Sequence, residues 1–160
     1  MGASGWDYVT SYRGSLQATL TALQGEVFQE LYGSGEEYGS LEELHADEEF
    51  MGEEGTHSIL DIERVVETKR RLRSPRTDEY GTIRPLAPAR LIHHFGTERP
   101  TVDQYNDTLA RSYEAMATSR PGEEDTTLLG ELRTRWTGFC VLLYTDDRPT
   151  HVGFFGFSGD

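Results

Sequence analysis

The sequence has little of the chemistry on which several classes of protein depend. Its single cysteine, Cys140, excludes an intrachain disulfide and a zinc site made of several thiolates. No apolar run approaches the roughly 18 residues that indicate a membrane-spanning helix, and the first residues resemble no secretion signal. We therefore expect a cytoplasmic protein that makes no use of a membrane.

Common catalytic and nucleotide-binding motifs are also absent. The chain has no Gly-x-Ser-x-Gly nucleophile elbow, no Gly-x-x-x-x-Gly-Lys phosphate loop and no Gly-x-Gly-x-x-Gly fingerprint. Cys140 lies within "GFCVLL", which is typical of a buried apolar residue and not of an activated thiolate. The sequence therefore favours a role other than catalysis and predicts no cofactor.

Basic residues are few, and Lys69 is the only lysine. Acidic residues number 28 against 15 basic ones, which gives a formal charge of −13. Nine carboxylates and no Lys or Arg lie in residues 36–57, whereas the stretch from Arg64 to Arg76 is locally basic. A negative field disfavours nucleic acid and favours basic protein surfaces, so we predict a basic protein partner and leave the oligomeric state open.

The hydrophobic pattern predicts one globular domain over residues 1–160 with an α+β fold. We expect a small antiparallel sheet, formed by a C-terminal β-hairpin and a strand around 58–66, with amphipathic helices packed on one side. Two segments are predicted to be exposed loops, namely the acidic segment 36–57 and the polar segment 67–82. Within the acidic segment, a Ser-x-x-Glu capping box at Ser40 predicts the start of one short helix. The remaining helices are predicted from about 6 to 33, over 88–95, from 101 to before 121, and as a turn or two near 128–136.

The acidic segment is the predicted binding site. Its carboxylates would meet Arg or Lys side chains of a partner, around an apolar centre made of Phe50 and Met51. The candidate binding residues are Glu42, Glu43, Asp47, Glu48, Glu49, Phe50, Met51, Glu53 and Glu54.

Imidazole and carboxylate groups supply weaker candidates for other chemistry. His45, Asp47 and His57 combine ligand types that suit zinc, iron or manganese, although their spacing matches no metal motif, so we predict no metal site. Weak candidates for catalysis are His57, Asp61, His93 and His94. Asp61 is expected two residues from Glu63 on the solvent-facing side of the predicted strand.

Geometry limits the candidates for catalysis. Adjacent histidines on a helix project about 100° apart, so His93 and His94 cannot both point into one site. If either histidine were a general base, Glu98 or Asp103 is the nearby carboxylate expected to orient it.

Four stretches, "GWDYVTSYRGSLQATLTALQ", "SILDIERV", "FGTERPT" and "GFFGFSGD", together resemble small uncharacterised actinobacterial proteins of about this length. The resemblance covers most of the chain. It implies no activity, cofactor or site residue, because no function is assigned to such proteins.

Three hypotheses for function remain. The first is an acidic binding module, such as an inhibitor or immunity protein, that masks a basic surface on its partner. The second is a small enzyme or ligand-binding domain with a pocket between sheet and helices that uses the histidines and Asp61. The third is an accessory subunit that joins a larger assembly through exposed apolar residues.

Overall fold

The computed structural model describes residues 4–67 and 79–159. Its centre is one five-stranded sheet with the strand order β1-β5-β4-β3-β2, in which β1, β5 and β4 are antiparallel neighbours and β4, β3 and β2 are parallel. The strands are β1 (Gly5–Ser11), β2 (Arg64–Val65), β3 (Thr82–Pro85), β4 (Thr137–Thr145) and β5 (Arg148–Phe157). The helices are α1 (Leu16–Tyr32), α2 (Leu41–Ala46), α3 (Glu48–Glu53), α4 (Pro88–Phe95) and α5 (Val102–Thr118).

The α+β class is confirmed, but the layers differ from the prediction. Helices lie on both faces of the sheet and not on one side, because alternate residues of β4 and β5 feed two separate cores. Val152 and Phe154 pack with α1 and α2, whereas Leu143 and Phe155 pack with α4 and α5. Among the described residues, no helix combines the length and the apolar character needed to cross a membrane.

The first 33 residues contain a strand before the helix, so the prediction of one helix from residue 6 was wrong. β1 pairs along its whole length with β5 at the sheet edge, and Trp6 points inward while Asp7 is exposed. Gly14, at φ 91°, turns the chain, and the Ser15 side chain then accepts a hydrogen bond from the N–H of Ala18 to cap α1. Pairing with a strand about 145 residues away outweighed the local helical spacing.

Residues 36–57 contain two short helices, so the prediction of an exposed loop after the first helix was wrong for residues 48–53. The predicted helix begins at Ser40, whose side chain accepts from the N–H of Glu43. A second helix, α3, follows at once because the side chain of Asp47 accepts from the N–H of Phe50 and caps it. The two helices present their acidic residues on an ordered framework.

The strand predicted around 58–66 is reduced to the two residues of β2. Ile59–Asp61 form a short 3₁₀ helix that the Ser58 side chain caps. This change places Asp61 in the interior and leaves only Glu63 on the solvent-facing side where both were expected. Of the polar segment 67–82, residues 68–78 lie outside the described residues, as does most of the predicted basic stretch, and β3 begins at Thr82.

The remaining predictions depended on local signals and are confirmed. Gly96, at φ 73°, ends α4, and Thr101 with Gln104 forms a complete capping box at the start of α5. Residues 128–131 form the expected short helical turn. The C-terminal hairpin turns at Asp146 and Asp147, which both have positive φ as a two-residue type I′ turn requires.

Candidate functional site

Five glutamates form an acidic surface on α2 and α3. Each is exposed, and none of their carboxylate groups has a hydrogen bond or ion pair to another residue in the described parts of the chain. Three of them lie in first helical turns, where the positive end of the helix dipole favours a negative charge. We call Glu42, Glu48, Glu49, Glu53 and Glu54 the acidic surface.

Two other predicted binding residues instead hold this region together. Asp47 accepts from the N–H of Phe50 at 3.0 Å and from the hydroxyl of Tyr38 at 2.9 Å. These hydrogen bonds lower the pKa of Asp47, and the hydrogen bond to Asp47 raises the pKa of Tyr38 to about 12. Glu43 accepts from the N–H of Gly39 at 2.8 Å.

The predicted apolar centre lies mostly beneath the acidic surface. Phe50 and Met51 are half-buried and pack against the core between α1 and the sheet, and the Phe50 ring lies 6.1 Å from that of Tyr38. Leu44, which is fully buried, attaches α2 to the same core. These contacts fix the orientation of the two short helices.

The weak metal candidates do not converge. His45 donates from Nε2 to the carbonyl oxygen of Leu60 at 2.6 Å, and Asp47 caps α3. His57 is exposed at a positive φ of 53°. The parts of the chain that the structure describes contain no group of three or more His, Cys, Asp or Glu residues placed to hold a metal ion.

Asp61 belongs to a buried network of neutral partners. Its Oδ1 accepts from the N–H and the hydroxyl of Thr56 at 2.6 and 2.8 Å, and its Oδ2 accepts from the hydroxyl of Ser158 at 2.5 Å. The Ser158 oxygen in turn accepts from Nε1 of Trp6 at 3.2 Å. The carboxylate therefore joins the end of the acidic segment to the first and last strands of the sheet.

His94 also has a defined partner, which sequence proximity did not reveal. It donates from Nε2 to Oε1 of Glu131 at 3.0 Å, and Arg90 donates from Nε to the same oxygen at 2.6 Å. The partner is thus neither Glu98 nor Asp103. His93 is exposed, as the angle between adjacent helical residues requires.

Burial and charge set the protonation of this pair. Burial lowers the pKa of His94 despite the carboxylate beside it. Burial alone would raise the pKa of Glu131, but the hydrogen bonds from His94 and Arg90 outweigh it and lower the pKa. The carboxylate is therefore ionised and the imidazole neutral at pH 7.

The four candidates for catalysis do not share one pocket. Asp61 and the chain leading to it lie with the core on the α1 side of the sheet, whereas α4 packs against the core on the opposite face. Cys140 is buried, and burial together with the charge of Glu67 raises the pKa of its thiol to about 12. That thiol is protonated at pH 7 and is a poor nucleophile.

A crevice that the sequence did not indicate opens at the carboxyl ends of β3 and β4, with a volume of about 460 Å³. Leu16, at the start of α1, and Leu91, on α4, contribute apolar walls. Glu67, Glu98 and Arg99 also line it. The signal for this crevice is topological, since it requires knowing which strands are parallel neighbours.

The large exposed apolar side chains of the described residues are distributed over several elements of the fold. The larger ones in the described residues are Val9, Leu31, Tyr80, Ile92 and Met116. Each belongs to a different strand, helix or turn. Single apolar residues of this kind are normal on protein surfaces.

Comparison with known proteins gave no assignment, since no family model, curated protein or solved structure matches this chain.

Proposed function

We propose that this protein is a protein-binding module of the inhibitor or immunity type, and that its acidic surface masks a basic surface on a partner. The observation that carries the proposal is the set of five exposed glutamates on two consecutive helices, which have no ion pair within the described residues. Carboxylates that form no ion pair within their own chain can pair with Arg or Lys side chains of a partner. Complementary charge speeds association and selects among partners.

The local structure supports this role because it holds the charges in place. Leu44 is fully buried, His45 is tied to the backbone of Leu60, and Asp47 is tied to Tyr38. Side chains on a fixed backbone lose less conformational freedom on binding than those of a flexible loop. The framework thus favours binding through α2 and α3.

The net charge of −13 reinforces the local field. Exposed charges act mainly on the rate of association, which depends on ionic strength. Neutralising four glutamates of the surface should therefore slow association by about tenfold at low salt and much less at high salt.

The test compares two variants with equal net charge. In the first, Glu42, Glu48, Glu49 and Glu53 are replaced by glutamine. The matched control instead neutralises four exposed acids of α5 and the turn after it, namely Asp103, Asp107, Glu114 and Glu123, as asparagine or glutamine. Wild type and both variants serve as bait in lysate of the source organism, and mass spectrometry identifies the retained proteins.

The proposal expects a basic protein that wild type and the control retain and that the first variant loses. Stopped-flow measurements on the purified pair should then show the slower association of that variant and its weaker salt dependence. A partner that binds all three proteins at equal rates would overturn the proposal, as would the absence of any protein that distinguishes the first variant from the control.

A further inference from the structure

We infer that the crevice at the carboxyl ends of β3 and β4 binds a small apolar molecule that carries one amine group. This inference is independent of the acidic surface, since none of the five glutamates of that surface lines the crevice. The crevice would thus be a binding site of the protein separate from the proposed site at the acidic surface.

The position of the crevice is the first argument. The chain leaves β1 for α1 on one face of the sheet, and it leaves β3 for α4 on the other face. The crevice lies between the starts of these two helices, at Leu16 and Pro88. Open sheets bind ligands outside the carboxyl ends of neighbouring parallel strands, and the crevice lies at those ends of β3 and β4.

Its size and walls define the body of the ligand. A volume of about 460 Å³ falls within the range of roughly 300–1,000 Å³ that is typical of small-molecule sites. Leu16, Leu86, Leu91 and Leu142 provide apolar surface from both faces of the sheet. An aliphatic or aromatic body of modest size fits these walls, because burying it removes apolar area from water.

The charges of the crevice define the polar end of the ligand. Glu67 and Glu98 line it, and neither forms an ion pair with another residue in the described ranges. Arg99 already has partners, since its guanidinium lies 5.7 Å from the ring centre of Tyr144 and 3.8 Å from a carboxylate oxygen of Asp147. Among the described residues that line the crevice, the charge left for a ligand is therefore negative and selects a cation.

The influence of Glu67 on the crevice is also evident at its floor. Cys140, which is only 2% exposed, lines the crevice from β4. After burial itself, the charge of Glu67 is the next cause that raises the pKa of this thiol. Because the carboxylate of Glu67 acts on Cys140, it is also close enough to attract an ammonium group bound at the opening of the crevice.

The test uses three probes with the same apolar body: 4-phenylbutylamine, 4-phenylbutanol and 4-phenylbutyrate. Each is titrated into the full-length protein at pH 7 while backbone amide signals are followed by NMR. We expect the amine to bind most tightly, the alcohol more weakly and the carboxylate least. The largest shifts should occur at Leu86, Leu91 and Tyr144.

Variants then separate charge from shape. Glu67→Gln and Glu98→Gln should each weaken binding of the amine by about two- to fivefold, as expected for a partly exposed ion pair, and leave binding of the alcohol unchanged. Glu114→Gln, which removes an exposed charge from α5, is the matched control and should change neither. Leu142→Trp fills the crevice and should abolish binding of all three probes, with its thermal unfolding measured to confirm folding.

Each other outcome overturns the inference. Equal affinity for the three probes would refute the role of charge, as would unchanged binding of the amine by Glu67→Gln and Glu98→Gln. Shifts confined to α2 and α3 would show that the amine merely neutralises the acidic surface. Absence of saturable binding to wild type would refute a site at the crevice, and the two glutamine variants test the role of charge even if Leu142→Trp fails to fold.

Discussion

Replacement of Asp61 by alanine is the sharpest test of how the acidic segment is attached to the sheet. The side chain is 4% exposed and accepts three hydrogen bonds, two from Thr56 and one from Ser158. A hydrogen bond to a charged group contributes about 1.5–3 kcal/mol, and a buried donor left without its acceptor costs a further ~1–3 kcal/mol. Because bonds in one network are not additive, we expect Asp61→Ala to lower the free energy of unfolding by about 3–5 kcal/mol.

The hydroxyl of Ser158 makes the loss large. It is fully buried, and it donates to Asp61 while it accepts from Trp6. Without the carboxylate, this donor has no acceptor in its present position. Asp61→Asn should cost less, about 2 kcal/mol, because the amide keeps one acceptor oxygen but places an N–H group against a donor.

Urea denaturation at pH 7 measures these changes, with tryptophan fluorescence and far-UV circular dichroism as probes. Trp6 lies in the network and Trp136 packs against Gly55 and Gly159, so fluorescence reports on this region. Asp107→Ala, at an exposed position of α5, is the control and should stay within about 0.5 kcal/mol of wild type. A loss below about 1 kcal/mol for Asp61→Ala would refute the network as the main attachment.

Further predictions concern packing, capping and pH. Gly153→Ala should destabilise the fold by about 2–4 kcal/mol in urea denaturation, because the new Cβ would lie 2.5 Å from the ring of Tyr105. Gly25→Ala on α1 meets no atom within 4 Å and should instead stabilise it by about 0.5–1 kcal/mol. Thr101→Ala removes the cap of α5 and should lower the free energy of unfolding by about 1 kcal/mol, which a lower melting temperature would show. Burial lowers the pKa of His94, so the unfolded chain takes up a proton at a higher pH than the folded chain. Wild type should therefore lose stability as pH falls below about 6.5, and His94→Gln should lose less stability over the same pH range. Urea denaturation of both proteins at several pH values measures the difference.

The elements that the sequence predicted correctly are those that local chemistry determines. The capping box of α5 depends on residues three positions apart, and the hairpin turn depends on two adjacent aspartates. Gly96 ends α4 because it adopts a positive φ at no steric cost. Such signals stay valid in almost any tertiary context.

The features that the sequence did not reveal depend on distant partners. β1 pairs with β5 from the other end of the chain, and Glu131 meets His94 from 37 residues away. Asp61 was expected on the solvent-facing side of a strand. It lies in the interior, where it accepts a hydrogen bond from Ser158, 97 residues away. The crevice likewise exists only once β3 and β4 lie side by side.

The acidic segment shows how one run of similar residues divides into two roles. Asp47 and Glu43 accept hydrogen bonds that begin helices and fix the turn before them, so their charges are used within the fold. Glu48 and Glu49 follow in the first turn of α3 and have no such acceptor role in the described structure. Because stability depends on the first pair and the external field on the second, the two roles can be altered separately. Charge on this surface is therefore a property that substitution can remove without removing the helices that present it.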